Sequence, residues 1–218
     1  MNYLTRIVTV SILAATAFVT GCANKPPYNY EALLAASPRS IVVIPPKNDT
    51  VEVDAPYIYL STISRPLAEK GYYVFPVAMI DNFMKENGLP TPEEMNNVPL
   101  DKIYENIGAD AVLYVNINQW GQKYNVVSSK AMVSVSMKLV DARTGNLLWD
   151  GAASAVKEPG SSGGGLVGML VSAVANQIVG SISDATPQLA RTANQTVLNT
   201  PNQGLLNGPY APPSDNSK

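Results

Sequence analysis

Residues 111–120 are AVLYVNINQW, and this stretch decides the fold. From Leu113 to Asn118, apolar and polar side chains alternate, which is the period of a strand with one buried face. Residues 132–140, MVSVSMKLV, repeat the alternation, a turn follows at 141–146, and residues 147–156 return as a third strand. We therefore predict three consecutive strands that form an antiparallel meander.

The chain before the meander has a different pattern. Ile41–Ile44 is a continuous apolar run, typical of a strand buried on both faces, and Tyr72–Val77 is predicted to be a second strand. A helix is expected between them over Tyr57–Lys70, kinked or restarted at Pro66, and further helices are expected before Ala111. Strands separated by helices predict right-handed crossovers and a parallel sheet.

The fold class that follows is α/β. We expect a mixed sheet in which a parallel βαβαβ core is extended by the antiparallel meander, with helices on both faces and C-terminal helices. The predicted organisation is a signal peptide at 1–21, a tether at 22–38, a single α/β periplasmic domain at 39–198, and an extended or disordered tail at 199–218.

The N-terminus has the pattern of a lipoprotein signal. Arg6 precedes an apolar run, Ile7–Val19, that is too short to span a bilayer. The run ends in Val19-Thr20-Gly21-Cys22, which fits a lipobox, and Cys22 is the only cysteine of the chain. We predict lipidation of Cys22 with acyl chains such as palmitate; the alternative is an ordinary signal peptide with a chance cysteine. Ala23, in place of an Asp, favours the outer membrane, with the periplasmic side preferred to the cell surface.

The composition argues against several classes of function. Lys+Arg number 15 and Asp+Glu number 17, and no basic cluster suggests a nucleic-acid partner. Histidine is absent, so the commonest general base and zinc ligand are missing, and a lipidated Cys22 leaves no thiol nucleophile. Asp101 and Glu105 lie four apart on a predicted helix, a spacing more typical of a solvated helix face than of a catalytic pair. We predict a protein without enzymatic activity, metal or cofactor.

The most unusual segment is Leu166–Ser183, because no charged residue lies between Glu158 and Asp184. It could cover one face of the sheet, dock on another subunit, or insert into a membrane. The glycines before it, which also fit a weak dinucleotide-binding pattern, are better interpreted as a hinge. The candidate interface residues are Leu166, Val167, Met169, Leu170, Val171, Val174 and Ile178.

Two tryptophans offer a second kind of site. Trp120 and Trp149 could line a ligand groove. Trp149 lies on a predicted strand beside Gly151, however, so packing of the indole over glycine is the favoured interpretation.

Several blocks of the chain resemble one known family. They are Ser61–Ile63 with Tyr72–Val77, Gly108–Val115, Thr144-Gly145 with Leu148–Gly151, and Gly208-Pro209-Tyr210. Together they resemble the outer-membrane lipoproteins of unknown function that include a Neisseria vaccine-candidate surface lipoprotein. More distantly, the pattern is similar to the periplasmic domain of the curli secretion channel and to the N-terminal domain of the Tol–Pal propeller protein. The resemblance implies an α/β periplasmic domain with a role in envelope assembly or transport, often beside a curli-channel-like lipoprotein, and it supplies no catalytic residues.

The expected function is that of an accessory protein held in the outer membrane by its lipid and acting through protein–protein contacts. Its expected partner is a second copy of the chain or another envelope lipoprotein of the curli-channel type. The alternative is a periplasmic ligand-binding module with a groove near Trp120 and Trp149.

Overall fold

The computed structural model describes residues 27–124, 129–157 and 185–212. Twelve elements are described in chain order: α1 (Glu31–Ala36), β1 (Ser40–Val43), β2 (Lys47–Asn48), α2 (Ala55–Glu69), β3 (Tyr73–Val74), α3 (Val77–Glu86), α4 (Pro92–Met95), α5 (Leu100–Ile107), β4 (Ala111–Tyr124), β5 (Ser129–Asp141), β6 (Leu147–Lys157) and α6 (Thr186–Asn199). Helices separate β1 and β2 from β3, and β3 from β4; β4, β5 and β6 then follow one another, as the two sequence patterns predict.

The strands form one mixed sheet in the order β3-β1-β4-β5-β6, with β2 paired to β4 off this path. The pairs β1–β3, β1–β4 and β2–β4 are parallel. At the start of the central pair, the Asp110 side chain accepts hydrogen bonds from the backbone N–H of Arg39 and Ser40, at 3.0 and 3.1 Å. This carboxylate joins the N-terminal ends of β1 and β4. It thereby fixes their register, in which Ile41 lies opposite Ala111.

The second half of the sheet is the predicted meander. β4 pairs with β5 along its whole length, from Ala111 opposite Asp141 to Tyr124 opposite Ser129, and β5 pairs antiparallel with β6. The register shifts between Ile117 and Gln119, which is a bulge. The bulge places Trp120 opposite the buried Val133.

Helices pack on both faces of the sheet, which confirms the predicted fold class. The larger core contains the buried side chains of α1, α2 and α6, with Ile41 and Val43 of β1 and the inward residues of β4, β5 and β6. The smaller core contains buried side chains of α3, α4 and α5 against Val42, Ile44 and Val112. Successive residues of β1 thus enter opposite cores, and this explains why its sequence is continuously apolar.

Some elements differ from their predicted limits. The second strand covers only Tyr73–Val74 of the predicted 72–77, because Tyr72 N donates to Leu67 O at the end of α2 and Pro76 is the N-cap of α3. α2 runs through Pro66 without the expected restart. The capping box Thr91–Glu94 and the left-handed Gly108 after α5 form as the sequence indicates.

The segments just outside the predicted domain limits, residues 39 and 198, pack onto the domain. On the N-terminal side of residue 39, Leu33 of α1 is buried in the larger core. After residue 198, Leu205 is buried in the same core, and Trp149 Nε1 donates to the Gln203 carbonyl at 2.9 Å. Residues 27–38 and 199–212 therefore make contacts that a free tether and a disordered tail would lack, because apolar side chains at intervals give each segment something to bury.

Candidate interaction site

The smaller core opens to the surface through an apolar pocket between α3 and α5. The helical spacing of α3 directs Ile80 and Met84 into the core and leaves Phe83 at the pocket mouth. On α5, Ile103 is buried and faces the same space. The pocket has a volume of about 180 Å³, and its lining residues are Phe83, Met84, Asn87, Leu89, Val98, Lys102, Ile103, Asn106 and Ile107.

The polar groups at the rim are bonded within their own helices. Lys102 Nζ pairs with Glu105 Oε2 at 2.7 Å, and this hydrogen bond raises the pKa of Lys102. The side-chain amides of Asn87 and Asn106 donate to the carbonyls of Phe83 and Lys102, at 2.7 and 2.8 Å. The pocket therefore presents apolar surface inside a rim whose polar groups are already paired.

An exposed apolar strip extends the pocket along α3. Met79 is 68% exposed and Phe83 is 39% exposed. Because the two residues are four positions apart on one helix, their side chains lie on the same face. Tyr57 of α2, also exposed, lies beside α3, where its ring centroid is 4.7 Å from Lys85 Nζ. We call Met79, Phe83 and the pocket together the α3 surface.

A charged pair lies on α3 next to this surface. Asp81 Oδ2 accepts a hydrogen bond from Lys85 Nζ at 2.7 Å, which raises the pKa of Lys85. Asp81 Oδ1 is buried and has no hydrogen-bond partner among the described residues. The described part of the chain also contains no group of three or more Asp, Glu, Cys or His that could hold a metal ion. The arrangement joins α2 to α3 through Lys85 and Tyr57.

The two carboxylates weighed from the sequence are not brought together as a pair. Glu105 is bound to Lys102, and Asp101 lies exposed on the same helix. This is the solvated helix face that their spacing favours. Over the described ranges, no helix is long and apolar enough to cross a membrane.

The groove proposed as an alternative does not form around Trp149. Its indole is fully buried in the larger core, and its Nε1 is bonded to Gln203 O. A Cβ placed on Gly151 would lie 2.8 Å from the Trp149 ring and 2.5 Å from Val197 Cγ2, so only glycine leaves room for the indole. Trp120 is half-buried against the same core. The interpretation of an aromatic packed over glycine is thus the right one for Trp149.

Two of the sequence-predicted sites lie outside the described residues. These are the lipidation site Cys22 and the candidate interface at Leu166, Val167, Met169, Leu170, Val171, Val174 and Ile178. Both stay predictions from the sequence.

Comparison with known proteins identifies the family. The family model described as "Putative lipoprotein GNA1162-like" matches residues 28–210. The chain belongs to this family. A curated relative from Neisseria meningitidis serogroup B, "Putative lipoprotein NMB1124/NMB1162", is 37% identical over 200 residues, which cover 90% of this chain and 93% of the relative. The resemblance inferred from the sequence blocks is confirmed.

A solved structure agrees with the family assignment. The crystal structure of lipoprotein GNA1162 from Neisseria meningitidis is 36% identical, with a TM-score of 0.54, over 58% of this chain and 88% of that chain. A second solved structure, the PelC dodecamer from Paraburkholderia phytofirmans, is 16% identical over 83% of this chain and 96% of that chain, with a TM-score of 0.47. Membership of a lipoprotein family implies a location at a membrane of the cell envelope.

Sequence reasoning missed the α3 surface. Residues 77–86, VAMIDNFMKE, carry no separate signal for it, because Met79, Ile80, Phe83 and Met84 have the spacing of one ordinary core-facing stripe. The sequence does not indicate that Met79 and Phe83 are left uncovered.

Proposed function

We propose that the protein is an accessory lipoprotein, held in the outer membrane on its periplasmic side by acyl chains on Cys22, that acts through protein–protein contacts in envelope assembly or transport. The observation that carries the proposal is the α3 surface, an apolar pocket continuous with exposed Met79 and Phe83. Exposed apolar side chains next to a concave apolar site are typical of surfaces that bind another protein.

The size of the pocket favours a protein partner over a small molecule. Sites for small molecules have volumes of roughly 300–1,000 Å³. At about 180 Å³, the pocket is closer to the size of one large apolar side chain. We therefore infer that a partner inserts a single apolar anchor between Phe83 and Ile103, while Met79 contacts the area around it.

Photo-crosslinking in intact cells tests this surface. A photoreactive amino acid replaces Met79 in one variant and Leu34 in a matched control, since the two side chains are 68% and 67% exposed but lie on opposite faces of the sheet. We expect a discrete protein adduct from position 79 and none from position 34. Equal adducts from both positions, or none from position 79, would contradict a protein contact at the α3 surface.

The uncharged segment Leu166–Ser183 supports a second contact in the same functional class. A helix that covers one sheet face normally keeps charges on its outer side, and this segment has none. We expect self-association, or docking on another envelope lipoprotein of the curli-channel type, through Leu166, Val167, Met169, Leu170, Val171, Val174 and Ile178. Light scattering of residues 23–218 should show an oligomer that Val171→Glu dissociates without changing the circular dichroism. A folded wild-type monomer at high concentration, with no partner recovered from cells, would remove this interface.

A further inference from the structure

The fixed part of the domain begins much closer to Cys22 than the sequence suggests. Tyr28 N donates to the Asn202 carbonyl at 2.8 Å. The Tyr28 hydroxyl donates to Asp150 Oδ1 at 2.8 Å and accepts from Asp150 N at 3.1 Å. Burial and the Asp150 carboxylate raise the pKa of Tyr28 to about 12, so the hydroxyl stays a donor at physiological pH. Tyr28 is therefore part of the domain surface and not of a free tether.

This short connection limits how the domain can be oriented on a membrane. Six residue steps separate Cys22 from Tyr28, and a fully extended chain covers at most about 3.3–3.6 Å per residue, or roughly 20 Å in all. A folded domain of this length has a radius of gyration of about 16 Å and hence a diameter of roughly 40 Å. Because the tether is at most about half as long as the domain diameter, Tyr28 stays in the membrane-facing half of the domain. The predicted tether of residues 22–38 would reach over 50 Å at about 3.3 Å per residue and would impose no orientation.

The surface around Tyr28 includes an exposed apolar side chain. α1 packs beside β6, to which Tyr28 is also bonded. From α1, Leu34 points outward and is 67% exposed. The charged groups next to these elements have both signs, Glu31 of α1 and Asp150 of β6 with Lys138 opposite it in β5, so this surface suits zwitterionic headgroups better than anionic ones. We call the surface formed by Tyr28 and Leu34 the β6-edge surface.

The α3 surface lies on the far side of the sheet. β6 and β3 are the two edges, four strand spacings apart, which is roughly 19 Å. In addition, α1 packs in the larger core and α3 in the smaller core, on opposite faces. A domain that turns the β6 edge to the membrane consequently turns the α3 surface away from it.

We propose that the β6-edge surface lies against the lipid headgroups of the leaflet that holds the Cys22 acyl chains, and that this orientation presents the α3 surface to partners away from the membrane. The proposal rests on the lipidation included in the proposed function. It assigns a lipid bilayer, and no protein, as the neighbour of Leu34.

The test measures how close two positions lie to the bilayer in the acylated full-length protein. With Cys22 acylated, a new cysteine is the only free thiol, so Leu34→Cys and Glu86→Cys can each carry one fluorophore at an exposed site, Glu86 being at the end of α3. The proteins are reconstituted into phosphatidylcholine vesicles that contain a nitroxide-labelled headgroup quencher. We expect several-fold stronger quenching at position 34 than at position 86.

A lengthened tether is the matched control. A Gly/Ser insertion between Pro26 and Pro27, as long as the predicted 22–38 tether, should bring the quenching at positions 34 and 86 towards the same value. A protein that does not float with the vesicles contradicts acylation and removes both proposals. A protein that floats but is quenched equally at positions 34 and 86 with the native tether overturns the membrane-facing surface alone.

Discussion

The two halves of the sheet bury their side chains in different ways. In the parallel half, Ile41, Val42, Val43 and Ile44 are all fully buried, because helices cover both faces. In the antiparallel half, α2 and α6 cover one face, and the described residues place no helix over the other. The connection between β5 and β6 is a tight turn and that between β4 and β5 only a few residues, so neither supplies a helix. Alternation of apolar and polar residues in the sequence therefore indicates strands whose connections contain no helix.

The open face of the antiparallel half is polar, and its side chains bind one another across strands. Ser154 Oγ donates to Ser134 Oγ at 2.8 Å, and Ser136 Oγ donates to Asn118 Oδ1 at 3.2 Å. These bonds replace bonds to water, so each contributes only about 0.5–1.5 kcal/mol. The open face is consequently tolerant of polar substitution, whereas the covered face is not.

The sharpest test of this comparison uses two neighbouring residues of β5. Val135 is buried in the larger core, and Ser136 lies on the open face. Val135→Asp should leave the domain largely unfolded, because burying an unpaired carboxyl group costs several kcal/mol, which is comparable with the roughly 5–15 kcal/mol that stabilises a typical domain. Ser136→Asp should fold with almost unchanged stability. Circular dichroism and thermal unfolding measure both, and a folded Val135→Asp variant would refute the assignment of the two faces.

In the parallel half, substitutions on both faces of the sheet should destabilise the domain, instead of those on one face alone. Ile41 packs in the larger core and Ile44 in the smaller. We expect Ile41→Ala and Ile44→Ala each to lower the free energy of unfolding by about 2–5 kcal/mol. In β5 the matched pair is Met137→Ala, with a similar loss, and Lys138→Ala, with almost none, since Lys138 is exposed. Urea unfolding distinguishes the cases, and a negligible effect of Ile44→Ala would mean that the smaller core does not stabilise the sheet.

The fold was predictable because periodicity reports burial directly. The continuous run at Ile41–Ile44 and the alternation in β4 and β5 each follow from which faces a helix covers. Contacts between distant segments have no such local signal. The Gly208-Pro209-Tyr210 block was recognised only as a family resemblance, although its role is packing: Gly208 N donates to Lys70 O at 2.7 Å and Tyr210 N donates to Gly71 O at 3.0 Å.

The candidate sites were less predictable for the same reason. The sequence indicates which residues are apolar, but it does not say which of them a neighbouring element leaves uncovered. Phe83 and Met79 look like core residues of α3 until the positions of α2 and α5 are known. Tyr28 looks like part of a tether until Asn202 and Asp150, more than 100 residues away, are placed beside it. The segment Leu166–Ser183 still rests on its composition alone.

A third prediction concerns how α2 and α6 are held together over the covered face. Tyr59 OH donates to Asn194 Oδ1 at 2.7 Å, and Asn194 Nδ2 donates to Thr62 Oγ1 at 3.0 Å, all within the buried interior. Asn194→Ala leaves the Tyr59 hydroxyl unpaired and should cost about 1–3 kcal/mol in urea unfolding. The double variant Tyr59→Phe with Asn194→Leu removes both partners and should regain most of this loss. If the double variant is as unstable as Asn194→Ala, the cost is one of packing and not of the unpaired hydroxyl.

The smallest expected effect is at the turn that joins β5 to β6. Burial of Asp141 raises its pKa, but this is outweighed by hydrogen bonds from Thr144 and Arg143, so its pKa lies below the ordinary value of 3.8. Asp141 Oδ1 accepts from Arg143 N at 2.9 Å and from Thr144 N at 2.7 Å. Asp141→Asn keeps the turn geometry but replaces charge-assisted hydrogen bonds by neutral ones, which are roughly half as strong. We therefore expect it to lower the free energy of unfolding by about 1 kcal/mol at pH 7.

This difference should depend on pH. Because the pKa of Asp141 is lower in the folded than in the unfolded state, the extra stability of the wild type is fully present above pH 3.8 and disappears as the pH falls through the folded-state pKa. Urea unfolding of both proteins between pH 7 and pH 3 measures this difference, and an advantage that stays constant across the range would mean that the Asp141 charge does not stabilise the turn.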